Sequence, residues 1–402
     1  MPAKEFLVHM RAGRLTRSLV TGVSALLLSA AALAITSSGR PEARAAADHL
    51  VLGYYVADDP ASWMSLQAHA DKIDLVAPQW VTVDACGSLG SSDDQTLKQF
   101  AQVRGVRVVP SLLTVSAWLN HRLLSDEQVT QHTIEQIVAY TVAEDYAGLD
   151  LDLEGVDAAD RDALSTFVAR AAVALHERGK LLTLAVPAKD RDVTIGWAGA
   201  YDYAALGADT DLVTIMAYDF RGPFSGPGSV APIDWVDRVL RFAARQIPPD
   251  KLLLGLASYG YDWNLTSGGT RSLGYASALE LAQRYAVDIG FDRMTQSATF
   301  NYTDVAGDRT DLRPPVEPLA HDVTSHIPTA CAVAAPPRST PTPTPTIEAN
   351  TPQLHEVWLE DSASASARLD LAALHGVRGV ASWRLGLEDE RAWPAFEAFR
   401  AR

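Results

Sequence analysis

The chain has 402 residues, 48% hydrophobic and 21% charged, enough to bury a sizeable core in one large domain or a few ordinary ones. Its formal charge of −15, without any basic block or Lys/Arg-rich helix, argues against nucleic acid or an anionic membrane surface as a partner. A neutral or cationic partner fits better.

At the N-terminus, Lys4, Arg11, Arg14 and Arg17 precede an uncharged apolar run from Leu19 to Ile35, and Ala43-Arg44-Ala45 offers an A-x-A cleavage site. Residues 1–45 therefore read as an export signal peptide, leaving 46–402 as the mature chain, expected to be secreted or held in the cell envelope. No later stretch is long and apolar enough for a transmembrane helix. Cys86 and Cys331 are the only cysteines. A single disulfide would suit export, but two separate thiols are expected, because Cys331 falls in a segment that reads as unstructured.

Short runs rich in Val, Ile, Leu and Tyr alternate with helical patterns from there on. Strands are expected at His49 to Val56, Lys72 to Val83 and, after a helix around Asp94 to Val103, at Val106 to Val115. Ser125, with Gln128 three residues on, reads as the start of a helix whose Val129, Ile134, Ile137 and Val138 fall near helical spacing. That helix leads into a fourth strand, Gly148-Leu149-Asp150-Leu151-Asp152-Leu153-Glu154. A long helix follows, with Leu164, Phe167, Val168, Ala171, Ala172 and Leu175 on one face and Gly179 closing it. Leu181 to Pro187, Leu212 to Tyr218 and Lys251 to Tyr259 are strands five to seven, with a helix at Ile233 to Gln246 before the last. Val377 to Trp383 is the eighth, ahead of a terminal helix ending near Arg400. This alternation predicts an α/β fold, a (β/α)8 TIM barrel. The absence of G-x-G-x-x-G and of G-x-x-x-x-G-K-[ST] weakens an open nucleotide-binding sheet.

Between strands seven and eight lie roughly a hundred residues where one helix would do. Residues 264–374 are read as a small α+β insertion, with a helix at Tyr275 to Ala286 and strands at Arg293 to Tyr302 and His355 to Leu359. Inside it, 304–352 holds the Thr-Pro repeat from Thr340 to Pro345 and is expected to be an extended, mobile loop.

The fourth strand carries the chemistry. Successive side chains of a strand point to opposite faces, so Asp150, Asp152 and Glu154 share one face and Leu149, Leu151 and Leu153 the other. Like charges at that spacing cannot all ionise cheaply, so at least one pKa is pushed up, and a carboxyl protonated near neutral pH is what a general acid needs. Alternation alone leaves two rivals open, a solvated edge strand and a divalent-cation site. In a barrel, Glu154 would stand at the C-terminal end of strand four, where such folds place their chemistry.

Gly148 to Glu154 resembles the strand-four motif D-G-x-D-x-D-x-E of glycoside hydrolase family 18, the chitinase-like barrels, with Ala147 in place of the first Asp. Gly53-Tyr54-Tyr55 resembles the family's strand-one pattern, Met216-Ala217-Tyr218-Asp219 its M-x-Y-D, and Trp383 its strand-eight tryptophan. Pro227 to Pro232, Lys251 to Trp263 and His355 to Asp361 are similar to the branch containing spore-cortex-lytic N-acetylglucosaminidases.

The resemblance implies a secreted hydrolase of β-1,4-linked N-acetylglucosamine glycan, either peptidoglycan or chitin, that uses the substrate's own acetamido oxygen as nucleophile. It implies catalytic roles for Glu154 as acid and base, Asp152 as orienter of the acetamido N–H, Asp150 as its charge partner and Tyr218 as donor to the acetamido oxygen. Asp219, Trp383, Tyr55, Trp80 and Met216 are the implied substrate-binding residues, with Trp383 the apolar floor under the sugar. No cofactor or metal is implied, and the protein is expected to act as a monomer. Tyr55 and Trp80 could equally be barrel filling. The ten histidines show no tight metal spacing, so His321 and His355 read as surface or packing groups. Two other functions compete with this reading, a catalytically silent glycan-binding protein on the same barrel and, more weakly, a carboxylate-metal hydrolase.

Overall fold

The computed structural model describes residues 49–305 and 351–402. The expected signal peptide and nearly all of the expected 304–352 loop lie outside the described residues. Eight strands form the barrel: β1 (Leu50–Tyr55), β2 (Leu75–Val83), β3 (Ser111–Thr114), β4 (Gly148–Leu153), β5 (Leu181–Pro187), β6 (Leu212–Met216), β7 (Leu252–Ala257) and β8 (Gly379–Trp383). Each pairs in parallel with the next, and β8 pairs with β1 to close the ring. The protein is therefore a (β/α)8 TIM barrel.

Strand alternation divides the barrel's side chains. Leu50, Leu52 and Tyr54 of β1, Leu75 and Ala77 of β2, Leu212 of β6, Leu253 of β7 and Ala381 of β8 pack together inside the ring. Val51 and Tyr55, Val76 and Trp80, and Leu149, Leu151 and Leu153 pack outward into the layer shared with the helices. Because the leucines of β4 take the helix side, its aspartates are forced into the barrel interior. A Cβ on Gly148 would lie 2.2 Å from the Leu181 carbonyl oxygen, so the close approach of β4 to β5 needs glycine there.

Three local expectations are corrected. The segment before the fourth strand holds two helices, Ala117–Ser125 and Glu127–Ala143, so Ser125 ends one helix and does not begin the next. Asp126 caps the second, its Oδ1 accepting from the N–H groups of Gln128 (3.0 Å) and Val129 (3.2 Å), a position where a carboxylate also meets the helix dipole favourably. The third strand is split into Arg107–Val108 and Ser111–Thr114 around Pro110, which has no N–H to donate. Cys86 is disulfide-bonded, which overturns the expectation of two separate thiols; the chain's other cysteine position, 331, lies outside the described residues.

The insertion after β7 is an antiparallel five-stranded sheet in the spatial order Thr270–Gly274, Tyr259–Asn264, Pro352–Leu359, Ser297–Val305, Gly290–Asp292. Helix Tyr275–Arg284 covers one face through Ala278, Leu281 and Ala282 against Phe300, Tyr302, Val357 and Leu359. The insertion thus begins at Tyr259 and ends at Leu359, inside different limits from the expected 264–374. Helix Ser362–Leu374 belongs to the barrel, because Leu369 and Ala372 pack into the layer around β7 and β8.

Arg368 ties this helix to the insertion. It is buried, its Nε lies 2.9 Å from Glu360 Oε2, and Nη1 donates to the carbonyls of Gln296 (2.7 Å) and Ser364 (2.9 Å) while Nη2 reaches the Ala231 carbonyl. Removing one partner of a buried ion pair strands the other charge. Arg368→Ala is expected to lower stability by about 3–5 kcal/mol, measured by urea unfolding.

Candidate active site

Asp150 is fully buried and stands in cross-strand register with Ser111 of β3 and Thr183 of β5. Thr183 Oγ1 donates to Asp150 Oδ1 at 2.6 Å. Burial pushes the Asp150 carboxyl up to about 6, and the nearby hydroxyls of Thr183, Ser111 and Tyr54 hold the rise back. Asp152, one layer higher and also buried, is pushed well above the usual carboxylate range by desolvation, then by the charges of Glu154 and Asp150. Gln79 Nε2 lies 3.4 Å from its Oδ2, a long contact that relieves little. Glu154, just beyond the end of β4 and partly exposed, is raised to about 7 by burial and by Asp219.

The backbone around Glu154 is held on both sides. Its N–H donates to the Thr114 carbonyl (2.7 Å), Asn120 Nδ2 donates to its carbonyl (2.6 Å), and the Tyr201 hydroxyl donates to the carbonyl of Leu153 (2.6 Å). Asn120 is itself buried and meets Thr114 Oγ1 through its own Oδ1.

The turn after β6 brings Tyr218 and Asp219 to the same place. Asp219 adopts φ 58°, a left-handed conformation uncommon for a residue with a side chain. It is held there by Tyr259 and Tyr261 of the insertion, whose hydroxyls donate to Asp219 Oδ1 at 2.5 and 2.8 Å. Burial raises Asp219, and these two bonds oppose the rise. Tyr218 is pushed far above its ordinary value by burial and then by Asp152, Glu154, Asp219 and Asp150, so its hydroxyl keeps its proton. Trp383 ends β8 on the opposite side of the ring from β4, edge-on to Tyr54 with ring centroids 5.4 Å apart. Met216 ends β6 on the inward face it shares with Leu212 and Thr214 and is partly exposed.

The structure therefore gathers Asp150, Asp152, Glu154, Tyr218 and Asp219 at the C-terminal end of the barrel, with Trp383 across from them and Met216 at the rim. Tyr55 and Trp80 do not join them. Tyr55 points into the helix layer, and Trp80 packs there with its Nε1 donating to the Tyr140 hydroxyl at 3.1 Å. Both were assigned one residue out of phase. The inward neighbours are Tyr54 and Gln79, and the alternation Leu50, Leu52, Tyr54 was the signal that could have found the first of them. Ala147 enters β4 from the other end of the barrel, seven residues before Glu154 and roughly 20 Å away at about 3.3 Å per residue. Among the described residues no cluster of three His, Cys, Asp or Glu side chains is arranged to hold a metal ion.

A TIM barrel with a raised glutamate at the end of β4, buried aspartates beneath it and a tryptophan opposite defines a glycosidase. The chain belongs to glycosyl hydrolases family 18, whose family model matches residues 50–388. It is similar to the cortical fragment-lytic enzyme of Bacillus subtilis, 28% identical over 280 residues, covering 68% of this chain and 54% of that protein. The chain thus spans about half the length of that relative. Among solved structures it resembles the spore cortex-lytic enzyme SleL of Bacillus megaterium (TM-score 0.70, 25% identity, 87% of this chain and 73% of that one). It also resembles a chitinase from Chromobacterium violaceum (TM-score 0.71, 26% identity, 88% and 99%).

Two outcomes follow from this geometry. The Glu154 carboxyl holds its proton more tightly folded, at about 7, than at its ordinary 4.5, so its contribution to stability is full below pH 4.5 and is lost as pH rises through 7. Thermal melts should show Glu154→Gln matching the parent near pH 4 and melting on the order of 2–4 °C higher near pH 8. Trp80→Leu should lower the melting temperature while leaving KM for any glycan unchanged, because the ring faces the helices.

Proposed function

We propose that the protein is a secreted glycoside hydrolase that cleaves β-1,4-linked N-acetylglucosamine glycan, in peptidoglycan or chitin, by substrate-assisted retaining catalysis. The observation that carries this reading is the graded row on β4: two buried aspartates below one partly exposed glutamate held near half-protonation at neutral pH. Glu154 gives its proton to the glycosidic oxygen as that bond breaks, while the acetamido carbonyl oxygen of the same sugar attacks its anomeric carbon to form an oxazolinium ion. Asp152 accepts the acetamido N–H, orienting the group and stabilising the positive charge that develops. The high pKa of Asp152 and its closeness to Asp150 let the two share a proton as that charge grows. Tyr218 donates its hydroxyl to the acetamido oxygen, Asp219 contacts the sugar, and Trp383 supports its apolar face. Glu154, now ionised, removes a proton from the water that opens the intermediate, giving a product of retained configuration.

Support for the substrate class comes from relatives on both sides, a cortex-lytic enzyme and a chitinase. The basic and then apolar sequence from Lys4 to Ile35 supports secretion.

Mass spectrometry of products from chitin oligomers and, separately, from purified peptidoglycan tests the reading. Cleavage of one polymer that falls by about 10²–10⁴-fold in Glu154→Gln is expected. Its kcat/KM should decline as pH rises past about 7, where the acid loses its proton. Binding of both polymers with no products from either would replace the hydrolase with a glycan-binding protein.

A further inference from the structure

Trp197 takes no part in the site described above, yet it stands beside it. It lies in the segment 188–202 that follows β5, and its side chain is large, apolar and 57% exposed. Single exposed apolar residues are common and need no explanation by themselves. Trp197 differs in what it touches. A Cβ built on Gly155 would lie 3.4 Å from Trp197 Cζ3 and 3.6 Å from its Cη2, so the six-membered edge of the indole rests against the residue that follows the acid Glu154. Gly155 has φ 67°, a conformation that favours glycine, and its lack of a side chain leaves room for the ring against the backbone there. The Val115 carbonyl is 3.4 Å from the same point, and the Val115 side chain is 47% exposed.

The loop that carries the indole is fixed. Arg161 Nη1 donates to the carbonyls of Gly199 (2.9 Å) and Val193 (3.3 Å), and its Nη2 pairs with Asp202 (3.0 Å) and Asp192 (3.4 Å). Gly199 N–H closes a turn onto the Gly196 carbonyl at 3.0 Å. An exposed aromatic on a pinned loop loses little conformational freedom when a ligand settles on it, which is what a binding platform requires.

The barrel order gives the platform its place along the glycan. On the hydrolase reading, on which this step rests, the sugar being attacked lies over Trp383 of β8, and the oxygen to be protonated meets Glu154 of β4, on the opposite side of the ring. The sugar that leaves must continue past Glu154, away from Trp383, over the rim formed by the ends of β4 and β5. That rim is where Trp197 stands. We propose that Trp197 is the stacking platform for the leaving-group sugar, its indole face meeting the C–H face of an uncharged pyranose ring, and that it sets how tightly a chain longer than the reacting sugar is held.

Titration calorimetry with the N-acetylglucosamine hexamer, comparing Glu154→Gln with Glu154→Gln/Trp197→Ala, tests the platform without requiring turnover. Affinity about tenfold weaker in the double variant is expected, equivalent to about 1.4 kcal/mol. In the active protein Trp197→Ala should raise KM for the hexamer by a similar factor with kcat within about twofold, and Trp197→Phe should restore most of the loss. Equal affinities in the two calorimetric variants, or no hexamer binding to Glu154→Gln, would overturn the proposal. Absence of products from the parent protein together with the tenfold affinity loss would end the hydrolase reading and with it the leaving-group assignment, leaving Trp197 as a glycan contact only.

Discussion

Three carboxylates on one face of one strand, inside a closed barrel, are the constraint to which the rest of the site answers. Burying an isolated carboxylate is expensive, and the usual relief is a cation. Here the groups that meet Asp150 are hydroxyls, from Thr183, Ser111 and Tyr54, which favour the charge weakly. A guanidinium in their place would pull the carboxyl down and fix it ionised. Neutral donors leave Asp150 near 6; burial, Glu154 and Asp150 raise Asp152, and burial with Asp219 raises Glu154, so the row stays poised between protonation states.

That poise depends on geometry being imposed from outside the row. The carbonyls of Leu153 and Glu154 are held by Tyr201 and Asn120, which come from the segments after β5 and β3, so the acid's backbone is clamped between its two neighbouring strands. Asp219 is held in a left-handed conformation by two tyrosines of the insertion. A residue in that region persists only when its surroundings over-determine it. The insertion therefore does more than wall the cleft. Tyr259, Tyr261 and Trp263 alternate along one face of its second strand in space, and that face packs with Leu387 and Val230 and against Tyr218 and Trp383. The same strand braces the charge that, in turn, raises Glu154.

The barrel was legible in the sequence because eight apolar runs alternate with helical periodicity, and β5 was placed at its observed limits, Leu181–Pro187. The acidic triad was legible because period two in β4 leaves its phase unambiguous. The aromatics were not. At a strand end the last few residues carry no alternation of their own, so Tyr54 and Tyr55, or Gln79 and Trp80, can be told apart only by carrying the phase forward from the strand's start. In β1 that phase was available; in β2 the run Leu75, Val76, Ala77, Pro78 is apolar on both faces, so it sets no phase ahead of Gln79 and Trp80. Asn120, Tyr201 and Thr183 had no local signal at all, since their value lies in contacts with β4 across 34, 48 and 33 residues of sequence. Helix Ser362–Leu374 was assigned to the insertion for a related reason: its buried face is short, and only the packing of Leu369 and Ala372 tells which body it serves.

The charge of the protein and the charge of its cleft point the same way. A net −15 and four carboxylates around Tyr218 create a field that repels anions and favours positive charge. Such a field would oppose an anionic sugar over Trp383, and it would stabilise a neutral sugar as it becomes a cation. On the hydrolase reading proposed above, a neutral sugar is therefore favoured over an anionic one in the position beside Glu154.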